Sequence, residues 1–430
     1  MYRKLIKELE RWHDSSKRKP LIVYGARQVG KTWLLQEFGK QNYEKTAYIL
    51  MSDNKRMQNL FADNNNATSI IAGLETEAGF SFAPQNTLII LDEIQEIPSA
   101  ISSLKYIYEQ CPEYHIAVAG SLLGVTLHSG TSFPVGKVNS LYLYPMSFFE
   151  FVQAIKSDTY ANTLIGGTSE LRQTFHDEYV SLLRQYLFVG GMPEAVQSFA
   201  TEHDFFAVRD IQREIVDNYE RDFSKHAPLN IVPRIQMVFD SVPSQLAKDN
   251  KKFIYGVLKK GARAKDYELA IQWLLDAGIL HKVQRVNRAK APLKHYEDLS
   301  AFKLFMNDIG LLGALSGLDA RSLLEDDALF TEFKGALTEQ FVAQQLVSGG
   351  ATLYYYSSDD AKTEIDFMIE QNGMPIPIEV KATRNLKSKS LSNFIEKFDL
   401  SKAYKLSLLP YKENDVIQNL PLYLSETLVS

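Results

Sequence analysis

Residues Gly25-Ala26-Arg27-Gln28-Val29-Gly30-Lys31-Thr32 spell G-x-x-x-x-G-K-[ST], and the segments on either side restrict the folds that can carry it. Leu21-Ile22-Val23-Tyr24 is a short apolar run of buried-strand type, and Trp33-Leu34-Leu35-Gln36-Glu37-Phe38 opens a helix. A strand, a glycine loop and a helix in this order let backbone N–H groups curl around phosphate oxygens, with the positive end of the helix dipole behind them. Lys31 is expected to reach the β- and γ-phosphates and Thr32 to ligate Mg²⁺, while Gly25, Ala26, Arg27, Gln28, Val29 and Gly30 line the phosphates. A glycine turn that only joins a strand to a helix is the plainer alternative.

Two downstream segments supply what hydrolysis needs. Thr87-Leu88-Ile89-Ile90-Leu91 is an apolar run ending in Asp92-Glu93. Asp92 is expected to hold the Mg²⁺ shell and Glu93 to orient or deprotonate the attacking water. Both acids also suit the start of a helix after any α/β strand. His115-Ile116-Ala117-Val118-Ala119 ends at Gly120-Ser121, which places Ser121 at a strand's carboxyl end, where it senses the γ-phosphate or caps the next helix. With a further strand at Tyr48-Ile49-Leu50-Met51, the alternation predicts an α/β fold built on a parallel, doubly wound sheet. The acid pair and the sensor strand favour water over a small-molecule kinase acceptor.

The chain has 430 residues, so about 150 residues per domain predicts two to four domains. A hydrophobic content of 45%, 23% charged residues and a net charge of −5 describe a soluble protein without a global nucleic-acid signal. The single cysteine, Cys111, excludes an intrachain disulfide and a cysteine metal cluster and favours a reducing compartment. The first ten residues mix charges at helical spacing without an apolar core, and no apolar stretch approaches the roughly 20 residues that span a bilayer. A cytoplasmic protein with no membrane partner is expected.

The phosphate loop, Leu91-Asp92-Glu93-Ile94-Gln95, Ala119-Gly120-Ser121, Leu143-Tyr144-Pro145-Met146-Ser147-Phe148-Phe149-Glu150 and Gly190-Gly191-Met192-Pro193-Glu194-Ala195 follow one another in order. This set resembles a prokaryotic family of AAA-type P-loop ATPases whose members carry a C-terminal restriction-endonuclease-like domain. The resemblance covers essentially the whole chain and implies ATP and Mg²⁺ as ligands. It implies that Gly191 and Pro193 contact the base side of the nucleotide, although a helix stop followed by proline at the next helix start explains the same residues. Where the family commonly has Gly-Arg before the Tyr-Pro-Met-Ser-Phe segment, this chain has Gly136-Lys137, and lysine lacks the planar fork of arginine. Arg209, Arg213 and Arg221, on a charged helical stretch, are the alternative trigger residues.

The expected organisation is an ATPase core over residues 1–165, a helical lid over 166–240, a winged-helix-like domain over 241–300 and a restriction-endonuclease-like domain over 301–430. The winged-helix expectation rests on short helices followed by a strand from Gly278. Lys282, Arg285, Arg288, Lys290 and Lys294 fall in an acid-free stretch that suits a DNA backbone or a merely solvated hairpin. Further on, Thr363–Ile369 alternates as a strand, Asn372-Gly373 signals a hairpin, and the returning strand places Glu379 and Lys381 on one face. With Asp366 on the partner strand and Glu339 on a helix upstream, these residues are similar to the PD-(D/E)xK nuclease motif. In that motif Asp366 and Glu379 hold Mg²⁺ and Lys381 positions water. A surface hairpin with charges two apart reads the same residues without catalysis. The expected output is action on DNA, or else an ATP-regulated interaction switch with an inactive nuclease-like module; a homo-oligomer or a protein partner fits either.

Overall fold

The computed structural model describes residues 1–62, 65–127, 133–248, 251–318, 328–358, 363–382, 389–412 and 416–429, with backbone alone for 126–127 and 328–333. The chain divides into two compact units, Met1–Tyr144 with Asp276–Gly278, and Pro145–Leu275 with Ile279–Ser430.

In the first unit β1 (Leu21–Tyr24), β2 (Lys45–Leu50), β3 (Thr87–Asp92), β4 (His115–Ala119) and β5 (Asn139–Tyr142) form one sheet in the order β2-β3-β4-β1-β5, parallel at every step. Every residue of β1, β3 and β4 is buried, the mark of parallel strands covered on both faces, whereas the edge strands β2 and β5 are partly exposed. One face is filled by Ile22, Ile49, Ile89, Leu91 and Val118 against Ile70, Leu74, Ile101 and Leu104 of the helices Ala67–Ala78 and Pro98–Gln110. Those helices begin where their sequences direct. Asn66 accepts the Ser69 N–H as an N-cap, and Pro98 occupies a first-turn position that needs no N–H donor. Parallel register sets the carboxyl ends of β1, β3 and β4 side by side, so the phosphate loop, Asp92-Glu93 and Gly120-Ser121 emerge together.

The second unit opens with helices, among them Phe148–Ile155, His176–Val189 and Phe205–His226. A reciprocal capping box between Ser147 and Glu150 starts the first of these. A seven-stranded mixed sheet follows, with β6 (Leu280–Val286), β7 (Glu297–Met306), β8 (Tyr354–Ser357), β9 (Glu364–Gln371), β10 (Met374–Val380), β11 (Ala403–Ser407) and β12 (Ile417–Pro421) in the order β12-β11-β10-β9-β8-β6-β7. The Asn372-Gly373 turn joins β9 to β10 with φ of 51° and 73°, the doubly left-handed backbone that this dipeptide favours. Pro375 and Pro377 sit in β10 where it pairs with β9 alone, since β11 joins only from Ile378 onward.

The hairpin expected of a winged helix takes a different place. β6 and β7 do pair antiparallel after the helix Ala264–Asp276, but β6 also pairs parallel with β8, through Gln284↔Tyr354 to Val286↔Tyr356. The hairpin is therefore two strands of the C-terminal sheet. Buried glutamines on the helix Ala328–Ser348 bind this unit together: Gln340 bonds both backbone groups of Met306, Gln344 accepts the Ile309 N–H, and Gln345 accepts the Phe148 N–H.

Candidate functional site

β1 ends at Tyr24, and the chain turns at Gly25 with φ of +149°, where a Cβ would lie 2.3 Å from the Leu143 carbonyl oxygen. Gln28 and Gly30 take φ of 65° and 92°, and Gly30 is the N-cap of the helix Lys31–Asn42. Left-handed residues beside a helix N-terminus form a concave nest of backbone donors suited to an anion. Arg3, from the start of the chain, braces this loop: it is buried, and its Nη1 donates to the Val29 carbonyl at 2.8 Å.

Lys31 is buried, and its Nζ donates to the carbonyls of Gly25 at 2.9 Å and Ala26 at 2.8 Å. Burial lowers its pKa to about 8 against the opposing pull of Glu93 and Asp92. Asp92 Oδ2 accepts from Thr32 Oγ1 at 2.6 Å and from the Tyr48 hydroxyl at 3.0 Å, while its Oδ1 accepts the Glu93 N–H at 3.0 Å. Glu93 holds φ of +53°, a conformation that non-glycine residues seldom adopt. Its Oε2 accepts from Gln95 Nε2 at 2.5 Å and from Ser121 Oγ at 3.4 Å. The fold thus brings Gly25–Thr32, Asp92, Glu93 and Ser121 to one place. The hydroxyl of Thr32 and the carboxylate of Asp92 are hard oxygen donors in contact, which fits Mg²⁺ beside phosphate.

Gly191 and Pro193 belong to the second unit, where local contacts account for them. The Gly191 N–H donates to Asp308 Oδ2 at 2.6 Å, a Cβ there would lie 2.1 Å from the Met146 carbonyl oxygen, and Pro193 begins the helix Pro193–Glu202. Asp308 is fully buried and also caps Leu311; burial raises its pKa against these hydrogen bonds. Arg209 is buried over the Phe188 ring and donates to Gln212 and to the Gly310 carbonyl. Arg213 and Arg221 are exposed and touch Asp210 and Asn218 on their own helix. Lys137 pairs with Glu109 at 3.0 Å.

The C-terminal cluster also assembles, with additional members. Asp366 Oδ2 accepts the Val380 N–H at 2.8 Å, Lys381 pairs with Glu379 at 2.5 Å, and Glu339 and Asp366 both act electrostatically on Lys381. Lys303 on β7 is wholly buried, 2.6 Å from Glu364 and 3.8 Å from Glu339, and Lys251 pairs with Glu339 at 2.7 Å. Burial alone would lower the Lys303 pKa, but Glu339, Glu364 and Asp366 together raise it. Burial and then the Glu339 carboxylate push Asp366 up. Among the described residues no group of three or more His, Cys, Asp or Glu side chains is arranged to hold a metal ion. Sequence reasoning missed Lys251 and Lys303, which no motif spacing connects to the hairpin, and Glu364, which begins β9 two residues before Asp366 but is not a member of the motif.

Of the basic stretch, Lys282 lies over the Phe302 ring and Arg285 pairs with Asp298, whereas Arg288, Lys290 and Lys294 are exposed. Among the described residues no helix is long and apolar enough to cross a membrane.

Residues 17–152 match the model of an AAA domain. Residues 180–322 match that of a domain of unknown function (DUF8612), and residues 334–425 that of a second domain of unknown function (DUF4143). The first unit thus carries an AAA-type P-loop domain. No curated protein matches the chain. Among solved structures, the Walker-type ATPase PABY2304 of Pyrococcus abyssi is similar at 14% identity over 72% of this chain and 94% of that one, with a TM-score of 0.42. The Orc1 protein of Aeropyrum pernix, in complex with DNA, matches at 13% identity over 75% and 95%, with a TM-score of 0.26. The RuvB Holliday junction branch migration motor of Thermotoga maritima matches at 14% identity over 68% and 91%, with a TM-score of 0.27. At these scores the likenesses say nothing about function.

Proposed function

We propose that the first unit binds Mg-ATP and hydrolyses it. The observation that carries this reading is the convergence of Lys31, the Thr32–Asp92 contact and the left-handed Glu93 at the carboxyl end of one parallel sheet. Lys31 turns from the Gly25 and Ala26 carbonyls to the β- and γ-phosphates, and the backbone donors at the start of its helix bind the remaining phosphate oxygens. Thr32 and Asp92 would hold Mg²⁺, which would supply positive charge to stabilise the phosphates as they react. Glu93 takes a proton from water as the water oxygen bonds the γ-phosphorus and the bond to the β,γ-bridging oxygen breaks, releasing ADP and phosphate. Ser121 orients Glu93 or the water.

Lys31→Ala should abolish ATP binding, measured by calorimetry. Glu93→Gln should bind ATP normally and lose hydrolysis by on the order of a hundredfold or more. ATP binding unchanged in Lys31→Ala would sink the reading.

We read the last part of the chain as restriction-endonuclease-like, supported by Glu339 on a helix, Asp366 on β9 and Glu379-x-Lys381 at the end of β10. Of its two outputs, the ion pairs of Lys251 and Lys303 with Glu339 and Glu364, and of Lys381 with Glu379, favour an ATP-regulated interaction switch whose nuclease-like module is inactive, because lysine ammonium groups already neutralise acids of the cluster, the metal-holding candidate Glu379 among them. DNA contact then rests on the exposed Arg288, Lys290 and Lys294. Mg²⁺- or Mn²⁺-dependent cleavage that disappears in Glu379→Ala would restore the nuclease; DNA binding without cleavage supports the switch.

A further inference from the structure

We propose that Gln95 is a positioning residue for Glu93, seated on the bare backbone of Gly120. This rests on the reading of Glu93 as the base that takes the water proton. Asp92-Glu93 leaves the sheet at the end of β3, next to the end of β4, where Leu91 pairs with Val118. The left-handed turn at Glu93 starts the short helical turn Ile94–Glu96, and that turn carries Gln95 back toward the same strand ends. There the Gln95 amide donates from Nε2 to Glu93 Oε2 at 2.5 Å, while its Oε1 is buried and has no hydrogen-bond partner among the described residues. A buried amide oxygen without a partner is unfavourable, so the hydrogen bond to Glu93 is held against a local cost. Space for that amide exists because residue 120 lacks a side chain: a Cβ on Gly120 would lie 2.1 Å from Gln95 Oε1 and 3.2 Å from its Cδ. Ser121, one residue on, donates to the same Glu93 oxygen at 3.4 Å. Two donors from the β3 and β4 ends thereby fix Glu93 Oε2, which leaves Glu93 Oε1 as the oxygen to take the water proton. Glycine at 120 and glutamine at 95 form one device, in which the first makes room for the second.

The test uses the full chain, with steady-state hydrolysis and ATP affinity measured separately. Gln95→Ala should lower kcat by roughly tenfold to a hundredfold, the scale of a misplaced catalytic group, with the ATP Kd unchanged within about twofold. Gly120→Ala should push the amide aside and lower kcat to a similar degree, and the double variant should lose little more than Gln95→Ala alone, because both act through one contact. Gln95→Glu replaces the amide donor by a carboxylate that repels Glu93, so its kcat should fall at least as far as that of Gln95→Ala, again with the ATP Kd unchanged within about twofold. Wild-type kcat in Gln95→Ala, or equal losses of kcat and ATP affinity, would overturn the proposal. Glu93→Gln, measured alongside, separates the two failures. If it hydrolyses ATP at the wild-type rate, the assignment of the base falls; if it is inactive while Gln95→Ala is normal, only Gln95 loses its role.

Discussion

A lysine that must meet phosphate is held in this protein against two carbonyls and away from water, and that placement gives it a measurable pH signature. Burial brings Lys31 from an ordinary 10.5 down to about 8, so above that value the folded protein increasingly carries it neutral. ATP binding requires the ammonium and should therefore weaken between pH 7.5 and 9, by at most about tenfold per unit beyond the pKa. Lys31→Arg, which stays charged, should flatten the profile; calorimetric Kd values across that range check both. The stability contribution has the opposite sense. Between about 8 and 10.5 the unfolded chain binds the proton that the folded chain has released, so this group makes the fold more stable as pH rises through that window. Lys31, Thr32 and Glu93 are legible in the sequence because each belongs to a motif within a few residues of a strand end. Arg3, which braces Val29, and Tyr48, which donates to Asp92, have no such spacing and become visible only when the fold brings distant segments together.

At the scale of elements, strands announce themselves while their neighbours do not. The apolar run of β3 and the turn between β9 and β10 are local patterns, and both occur where the sequence places them. The pairing of β6 with β8 spans about seventy residues, and no periodicity in either strand encodes it. That pairing matters because it makes β7 the outer strand of the same sheet, and β7 carries Lys303 into the acids. Lys303→Met should remove the buried cation and leave Glu339, Glu364 and Asp366 opposing one another, at a cost of about 3–5 kcal/mol in denaturant unfolding. Asp366→Asn should behave differently. Asn retains an acceptor for the Val380 N–H and removes a charge that burial and Glu339 both disfavour, so at neutral pH it should be neutral or stabilising. The sign follows from the raised pKa: the penalty for ionised Asp366 is present at neutral pH and fades as acidification protonates the carboxyl, so any gain from Asp366→Asn should shrink toward pH 4. Unfolding curves of both variants at pH 7.5 and pH 4.5 distinguish a buried ion network from a set of independent surface pairs.

For the molecule as a whole, the proposed switch requires that nucleotide in the first unit alter the free energy of the second, and linkage specifies how this is measured. ATP at about 100 times its Kd stabilises the unit that binds it by about 2.7 kcal/mol. A coupled second unit gains part of that protection, whereas an uncoupled one gains none. The Glu93→Gln chain is the suitable sample, since it should hold ATP without turning it over. Hydrogen exchange should slow upon ATP addition in β1, β3 and the helix Lys31–Asn42, where the nucleotide is bound. It should also change in the second unit, read in the helices His176–Val189 and Phe205–His226 and in the β9–β10 hairpin. The same measurement on Lys31→Ala should show neither effect, which ties the distant change to nucleotide at the loop. Protection confined to residues 1–144 would leave the first unit an isolated ATPase and remove the basis for a switch. A distant change that survives Lys31→Ala would place its cause outside the phosphate loop.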